Sequence, residues 1–258
     1  MKVLITNDDG VHSQGLIRLA KRVAQHADVF VVGPREEQSG VSQAITFLSP
    51  LFPIKLSQSL DDQDGQVEGY SINGTPVDCV KLALSELAPW KPDLVLSGIN
   101  GGLNAGTNVC YSGTVGAALA ASTFGIPAIA ISLESAPTLD FQRTAEMAWP
   151  LIERFGNTKL PPGTVININF PTASLDGESE IVLVPTETNP MGYHFETGKD
   201  PKGREYFWAT NNPVPKQSPF ETDTQALLAG KVTVSALSYN LNSPTAMSVL
   251  EEAIGEKA

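Results

Sequence analysis

Basic residues are scarce in this 258-residue chain: 17 Lys and Arg stand against 28 Asp and Glu, a formal net charge of −11. That balance argues against the clustered basic face with which proteins grip a nucleic-acid backbone. Small phosphorylated substrates stay open, because a bound metal ion inverts an acidic field locally. Cysteine is almost absent as well. Cys79 and Cys110 match neither a disulfide framework nor a zinc spacing, so two reduced, half-buried thiols are expected. No apolar run approaches the roughly 18 residues that span a bilayer, and no membrane partner is expected. The opening MKVLIT reads as a strand rather than a basic and then apolar leader, which makes the cytoplasm the expected location.

What is present is ordinary globular material, 41% hydrophobic and 17% charged, without the compositional marks of disorder. Lys2 to Thr6 is a β-branched apolar run that ends in the turn cluster Asn-Asp-Asp-Gly. Helical spacing over Gly15 to Gln25 and the run DVFVV at Asp28 to Val32 complete a βαβ unit, whose crossover is expected to be right-handed. Ser49 to Gln66 interrupts the pattern with turns and edge strands. Alternation then resumes with a helix over Val77 to Leu87, the strand DLVL at Asp93 to Leu96, a glycine-rich loop, a small-residue helix over Thr114 to Phe124, and a strand over Ala128 to Ser132. Leu139 to Phe155 reads as a helix that Pro150 kinks or divides, and VININF at Val165 to Phe170 alternates like a strand. The fold class is therefore α/β, a doubly wound and mainly parallel sheet.

Beyond Pro171 the character changes. Residues 1–184 form the predicted core. Residues 185–258 form a predicted extension, with an aromatic segment around Glu205 to Ala209, a return strand over Lys231 to Leu237 and a last helix capped by Ser243-Pro244. A long Pro- and Gly-rich segment inside a compact protein signals an excursion, and an arm for oligomer contacts is expected.

Ligands of open parallel sheets bind beyond the carboxyl ends of the strands, where strand order reverses. Three loops leave such ends here: Asn7-Asp8-Asp9-Gly10, Gly33 to Gly40 with Gln38-Ser39-Gly40, and Ser97 to Asn104. They supply carboxylates, a hydroxyl and carboxamides, hard oxygen donors that suit Mg²⁺, Mn²⁺ or Ca²⁺ better than zinc. Tyr111-Ser112-Gly113-Thr114 then opens a helix, whose first amides and dipole make an anion site. Each element alone has an ordinary reading as turn or cap; their convergence points to metal-assisted phosphate chemistry. His12 is read as shaping the loop rather than moving protons, and neither His26 nor His194 is read as catalytic. Lys202 and Arg204 read as solvated arm residues.

The segments ITNDDGVHSQG, QSG at 38–40 and SGINGGLNAGTNVCYSGTVGAA at 97–118 resemble the stationary-phase survival protein SurE family. GTPVDC at 74–79, GIPAIAISL at 125–133 and NINFP at 167–171 extend the likeness over most of the chain. The resemblance implies a Rossmann-like core with a C-terminal arm exchanged between subunits of a homodimer or homotetramer. It implies a phosphomonoesterase that hydrolyses nucleoside 5′-monophosphates, and 3′-monophosphates too, with one divalent ion per subunit. Carried over by motif, Asp8, Asp9, Ser39 and Asn100 are the metal ligands, Asp8 and Asp9 the catalytic pair, and Asn104, Ser112, Gly113 and Thr114 the phosphate-binding residues. The sequence departs from the family pattern at Gln38, in place of arginine, at Ala120-Ala121, in place of Glu-Gly, and at Lys202 in DPKGREYFW. The alternative is a non-catalytic, phosphate-responsive regulatory domain, which would need an acceptor aspartate where DLVL gives way to Ser97. A serine hydrolase is disfavoured by the lack of a GxSxG elbow.

Overall fold

The computed structural model describes residues 1–56, 67–177, 179–189, 193–211 and 220–255. The turns expected over Ser57 to Gln66, and the parts of the arm at 190–192 and 212–219, lie outside the described residues.

In chain order the elements are β1 (Lys2–Thr6), α1 (Gln14–Ala24), β2 (Asp28–Pro34), β3 (Pro53–Lys55), β4 (Glu68–Ile72) and α2 (Pro76–Leu82), which runs into a π-turn at Ala83–Leu87. Next come β5 (Leu94–Asn100), a 3₁₀ turn (Gly106–Cys110), α3 (Gly113–Thr123), β6 (Ala128–Leu133), α4 (Phe141–Gly156) and β7 (Thr164–Phe170). A second 3₁₀ turn (Thr172–Asp176), β8 (Ile181–Leu183), β9 (Tyr193–Lys199), β10 (Glu205–Asn211), α5 (Asp223–Leu228), β11 (Val232–Ser238) and α6 (Pro244–Gly255) follow among the described residues.

Among the described residues nine strands form one sheet in the order β3-β4-β2-β1-β5-β6-β7-β11-β8, with β4 through β7 mutually parallel. The parallel strands are buried on both faces, and successive residues serve opposite layers. Val3 and Ile5 of β1 pack with α1 and α4, while Leu4 packs with α2 and α3. This is the doubly wound α/β fold expected. From β1 the strand order runs one way through β2 and β4 and the other way through β5, β6 and β7. The reversal therefore falls between β1 and β5.

Not every crossover follows the handedness rule. Moving from β5 to β6 the chain passes through α3 on one face, yet moving in the same direction from β6 to β7 it passes through α4 on the other. The β6–α4–β7 crossover is thus opposite in hand to those through α1, α2 and α3, and the general right-handed rule fails for at least one connection. The result places α4 beside α1.

Several boundaries move. Strand β5 continues through the start of the predicted glycine loop to Asn100. Helix α4 runs undivided through Pro150, because that residue is exposed and water can serve the carbonyl its missing N–H leaves unpaired. The return strand of the 185–258 extension, β11, belongs to the large sheet, where it pairs antiparallel with β7 and parallel with β8. The hairpin β9–β10 forms a separate two-stranded sheet. Its turn is stapled by Asp200, which accepts from Lys202 N, Arg204 N and Arg204 Nε at 2.7–2.9 Å. The thiols are not both half-buried: Cys79 is fully buried within the α2–α3 layer, which raises its pKa, and Cys110 is exposed. Ala120 and Ala121 are buried in that same layer, where small side chains let α3 lie close to the sheet. No helix among the described residues is long and apolar enough to cross a membrane.

Candidate functional site

The turn after β1 lies at the reversal of strand order, and three other segments close on it. Asp8 is buried against the first turn of α3: its Oδ2 accepts from Thr114 N at 3.0 Å and its Oδ1 from Thr114 Oγ1 at 2.5 Å. This approach needs glycine at position 113, where a Cβ would stand 2.9 Å from both Cβ and Oδ2 of Asp8. Gln38 N donates to the main-chain oxygen of Asp8 at 2.7 Å, which ties the loop carrying Ser39 to the same turn. Because position 38 contributes through its main chain, glutamine there in place of arginine leaves this tie intact. Asp9 Oδ2 accepts from Gly101 N at 3.2 Å, which brings the end of β5, and Asn100, to the other side.

Neither aspartate has a cationic partner among the described residues. Burial raises the Asp8 carboxyl above its ordinary value, the two bonds from Thr114 pull it back in part, and Glu37 adds repulsion. Burial, followed by the charge of Asp8, lifts Asp9 to about 6, with Glu37 again adding to the rise. Such a site lacks positive charge. No three His, Cys, Asp or Glu side chains among the described residues are placed to share an ion, so the candidate ligands here are the two carboxylates with a hydroxyl and a carboxamide beside them. Asp8, Asp9, Ser39 and Asn100 fit a hard divalent cation by this chemistry. Ser39 Oγ donates to Glu37 Oε1 at 2.7 Å and so keeps its lone pairs, while Asn100 donates through Nδ2 to Gly102 O at 2.6 Å and keeps its Oδ1.

The raised Asp9 pKa has a thermodynamic sign. A carboxyl at about 6 in the folded state and 3.8 when unperturbed binds more protons folded than unfolded between those values. Its contribution to stability is therefore full below the lower value and is lost as pH rises through the upper one. Chelator-treated protein is expected to lose stability from about pH 4 to about pH 7 more steeply than Asp9→Asn does. Thermal unfolding of both across that range checks it; parallel curves would refute the assignment.

The phosphate-side residues sit differently from the simplest expectation. Thr114 directs both its donors at Asp8, and Ser112 Oγ caps α3 by accepting from Val115 N at 3.0 Å. The amides of Ser112 and Gly113 remain without a partner among the described residues, as does the hydroxyl proton of Ser112. Asn104 is nearly buried and acts as a post: its N donates to Asn169 Oδ1 and its O accepts from Nδ2 of Asn167 and Asn169, at 2.8–3.1 Å. Asn104 Nδ2 also donates to Ser132 Oγ at 2.8 Å. His12 is exposed, and His26 stacks on Trp149 with ring centroids 4.5 Å apart.

Glu37, which accepts from Ser39, and Asn167 and Asn169, which hold Asn104, were not read from the sequence as neighbours of these residues. The one available signal was in VININF. Asparagines alternating along a strand suggest a solvated face, yet Asn167 and Asn169 are fully buried, and a central strand carrying paired amides inward is holding something.

Known proteins match the chain over nearly its whole length. The family model for survival protein SurE matches residues 3–190. The 5′-nucleotidase SurE of Rhodopirellula baltica is 40% identical over 253 residues, 98% of each chain. That of Syntrophobacter fumaroxidans is 36% identical over 241 residues, 93% of this chain and 94% of the relative. The crystal structure of the SurE protein from Aquifex aeolicus aligns with a TM-score of 0.81 at 30% identity, covering 98% of this chain and 99% of that one. With paired acids at the strand reversal, a capped small-residue helix facing them and relatives matched nearly end to end, the chain belongs to the survival protein SurE family.

Proposed function

We propose that the protein is a metal-dependent phosphomonoesterase that hydrolyses nucleoside 5′-monophosphates, and 3′-monophosphates as well, to nucleoside and phosphate. One observation carries the reading: Asp8 and Asp9, without a cationic partner among the described residues, stand at the reversal of strand order with Asp8 bonded to the first turn of α3. The names of the relatives, 5′-nucleotidase SurE, support the substrate class.

Asp8, Asp9, Ser39 and Asn100 would hold one Mg²⁺ or Mn²⁺, or Ca²⁺ in its place. When bound, the ion supplies Lewis-acid stabilisation of the phosphoryl oxygens. The amides of Ser112 and Gly113 and the Ser112 hydroxyl receive the equatorial oxygens at the positive end of α3, where charge develops during transfer. Asn104 lends the second hydrogen of its carboxamide. Thr114 holds Asp8 in place rather than touching substrate. Asp9, held by a single hydrogen bond from Gly101, keeps Oδ1 to orient an attacking water for in-line displacement.

Phosphate release from a panel of nucleoside monophosphates, with Mg²⁺, Mn²⁺ or chelator, tests the reading. Release that requires metal is expected, and none under any metal would leave the regulatory alternative standing. We further propose a homodimer or homotetramer in which a second copy covers Phe195, Phe207 and Trp208 of the hairpin and the apolar residues of α6, all exposed in the single chain. Sedimentation of the same preparation as a monomer at assay concentration would refute it.

A further inference from the structure

Asp223, fully buried at the start of α5, joins three separate parts of the chain. Its Oδ2 accepts from Gly106 N at 2.9 Å, and its Oδ1 accepts from Glu187 N at 2.9 Å and Thr224 N at 2.8 Å. Gly106 follows Asn104 closely and opens the 3₁₀ turn that leads to Ser112 and Gly113. Glu187 belongs to the stem from which the β9–β10 hairpin departs. The surrounding polar groups satisfy one another: Glu187 accepts from Asn189 N at 2.7 Å and from Thr222 Oγ1 at 3.2 Å, and the Thr222 and Thr224 hydroxyls are 3.2 Å apart.

A buried carboxylate without a cationic partner is expensive unless several donors surround it. Three amides do so here, and one of them comes from the loop between Asn104 and Ser112. Among the described residues, that bond is the one that fastens the Gly106 amide. We infer that Asp223 is a positioning residue for the phosphate subsite, fixing the Asn104–Ser112 loop against the stem of the hairpin. The inference rests on the proposed phosphate role of that loop. It makes the placement of the Ser112 and Gly113 amides depend on a residue far along the chain that touches neither substrate nor metal.

Asp223→Asn separates this role from general support. The single oxygen of the new amide can still serve Glu187 N and Thr224 N, while its nitrogen then opposes Gly106 N–H, donor against donor. Thr222→Val is the control, since it removes a hydroxyl from the same buried cluster without touching the loop. With both variants shown to be folded and saturated with Mn²⁺, Asp223→Asn is expected to raise KM, and the inhibition constant of inorganic phosphate, about ten-fold, with kcat changed less than about three-fold. Thr222→Val should lower stability and leave both constants alone. Wild-type constants in Asp223→Asn, or equal rises in the two variants, would overturn the inference. Should Asp223→Asn fail to fold, amide exchange of Gly106 in the wild-type protein decides. Protection comparable to β5 is expected, and exchange at the rate of an open loop would overturn it. A wild-type protein that releases no phosphate from any nucleotide would sink the functional reading, while amide exchange would still report on Asp223.

Discussion

Asp8→Asn is expected to lower kcat/KM for nucleoside monophosphates about a thousand-fold while leaving the fold intact. The substitution is isosteric, and Thr114 can accommodate it. The amide oxygen takes the place of Oδ2 and still accepts from Thr114 N, while the amide nitrogen takes the place of Oδ1 and donates to Thr114 Oγ1, whose proton rotates away. Geometry is kept and only charge is lost. Because burial already disfavours that charge, thermal stability without metal should be unchanged or higher. Mn²⁺ affinity, measured by calorimetry on the same preparations, should fall with the rate. A variant that keeps wild-type metal affinity and loses activity would move Asp8 out of the ligand set, and one that keeps both would remove it from the mechanism.

Gly15→Ala is expected to destabilise the protein by about 3 kcal/mol or more. Gly15 lies in the first turn of α1, and a Cβ there would stand 1.9 Å from the carbonyl oxygen of Ile99 and 3.1 Å from a ring carbon of Phe141. The first of these is backbone in the middle of the sheet, and it cannot swing aside as a side chain could. Either α1 lifts from the sheet or β5 shifts, and β5 ends at Asn100. Urea denaturation gives the stability and nucleotide hydrolysis gives the consequence for the site; a loss within about 0.5 kcal/mol of zero would show that α1 can move without cost.

These two residues also show how much of the molecule could be read in advance. Asp8 was legible because its signal is local: a buried β-branched run followed by turn-forming residues marks a strand end, and strand ends of parallel sheets carry ligands. The same logic pointed to the segments of Ser39, Asn100 and the start of α3, which the structure brings against the Asp8-Asp9 turn. Gly15 as a contact point was not legible, since nothing near it in sequence announces Ile99. The pairing of Asn104 with Asn167 and Asn169, and of Gly106 with Asp223, likewise joins residues far apart in sequence. Such bonds follow from how the layers pack, which local propensity does not encode. The hand of the α4 crossover belongs to the same class, because either hand uses the same helix and the same strands. The insertion of β11 between β7 and β8 does too: VTVSALS announces a strand but not its neighbours.

That insertion constrains the order in which a ribosome can finish the molecule. Strand β8 emerges well before β11, with the whole hairpin synthesised in between, yet β11 is the strand on which β8 pairs and the one that covers the open edge of β7. A nascent chain that has released everything up to the hairpin still presents the edge of β7, with its unpaired backbone donors and acceptors, to any passing strand. The reversal between β1 and β5 can form early, whereas the far side of the sheet must wait for its closing piece. The interval between those events is when this chain is most open to pairing with the wrong partner.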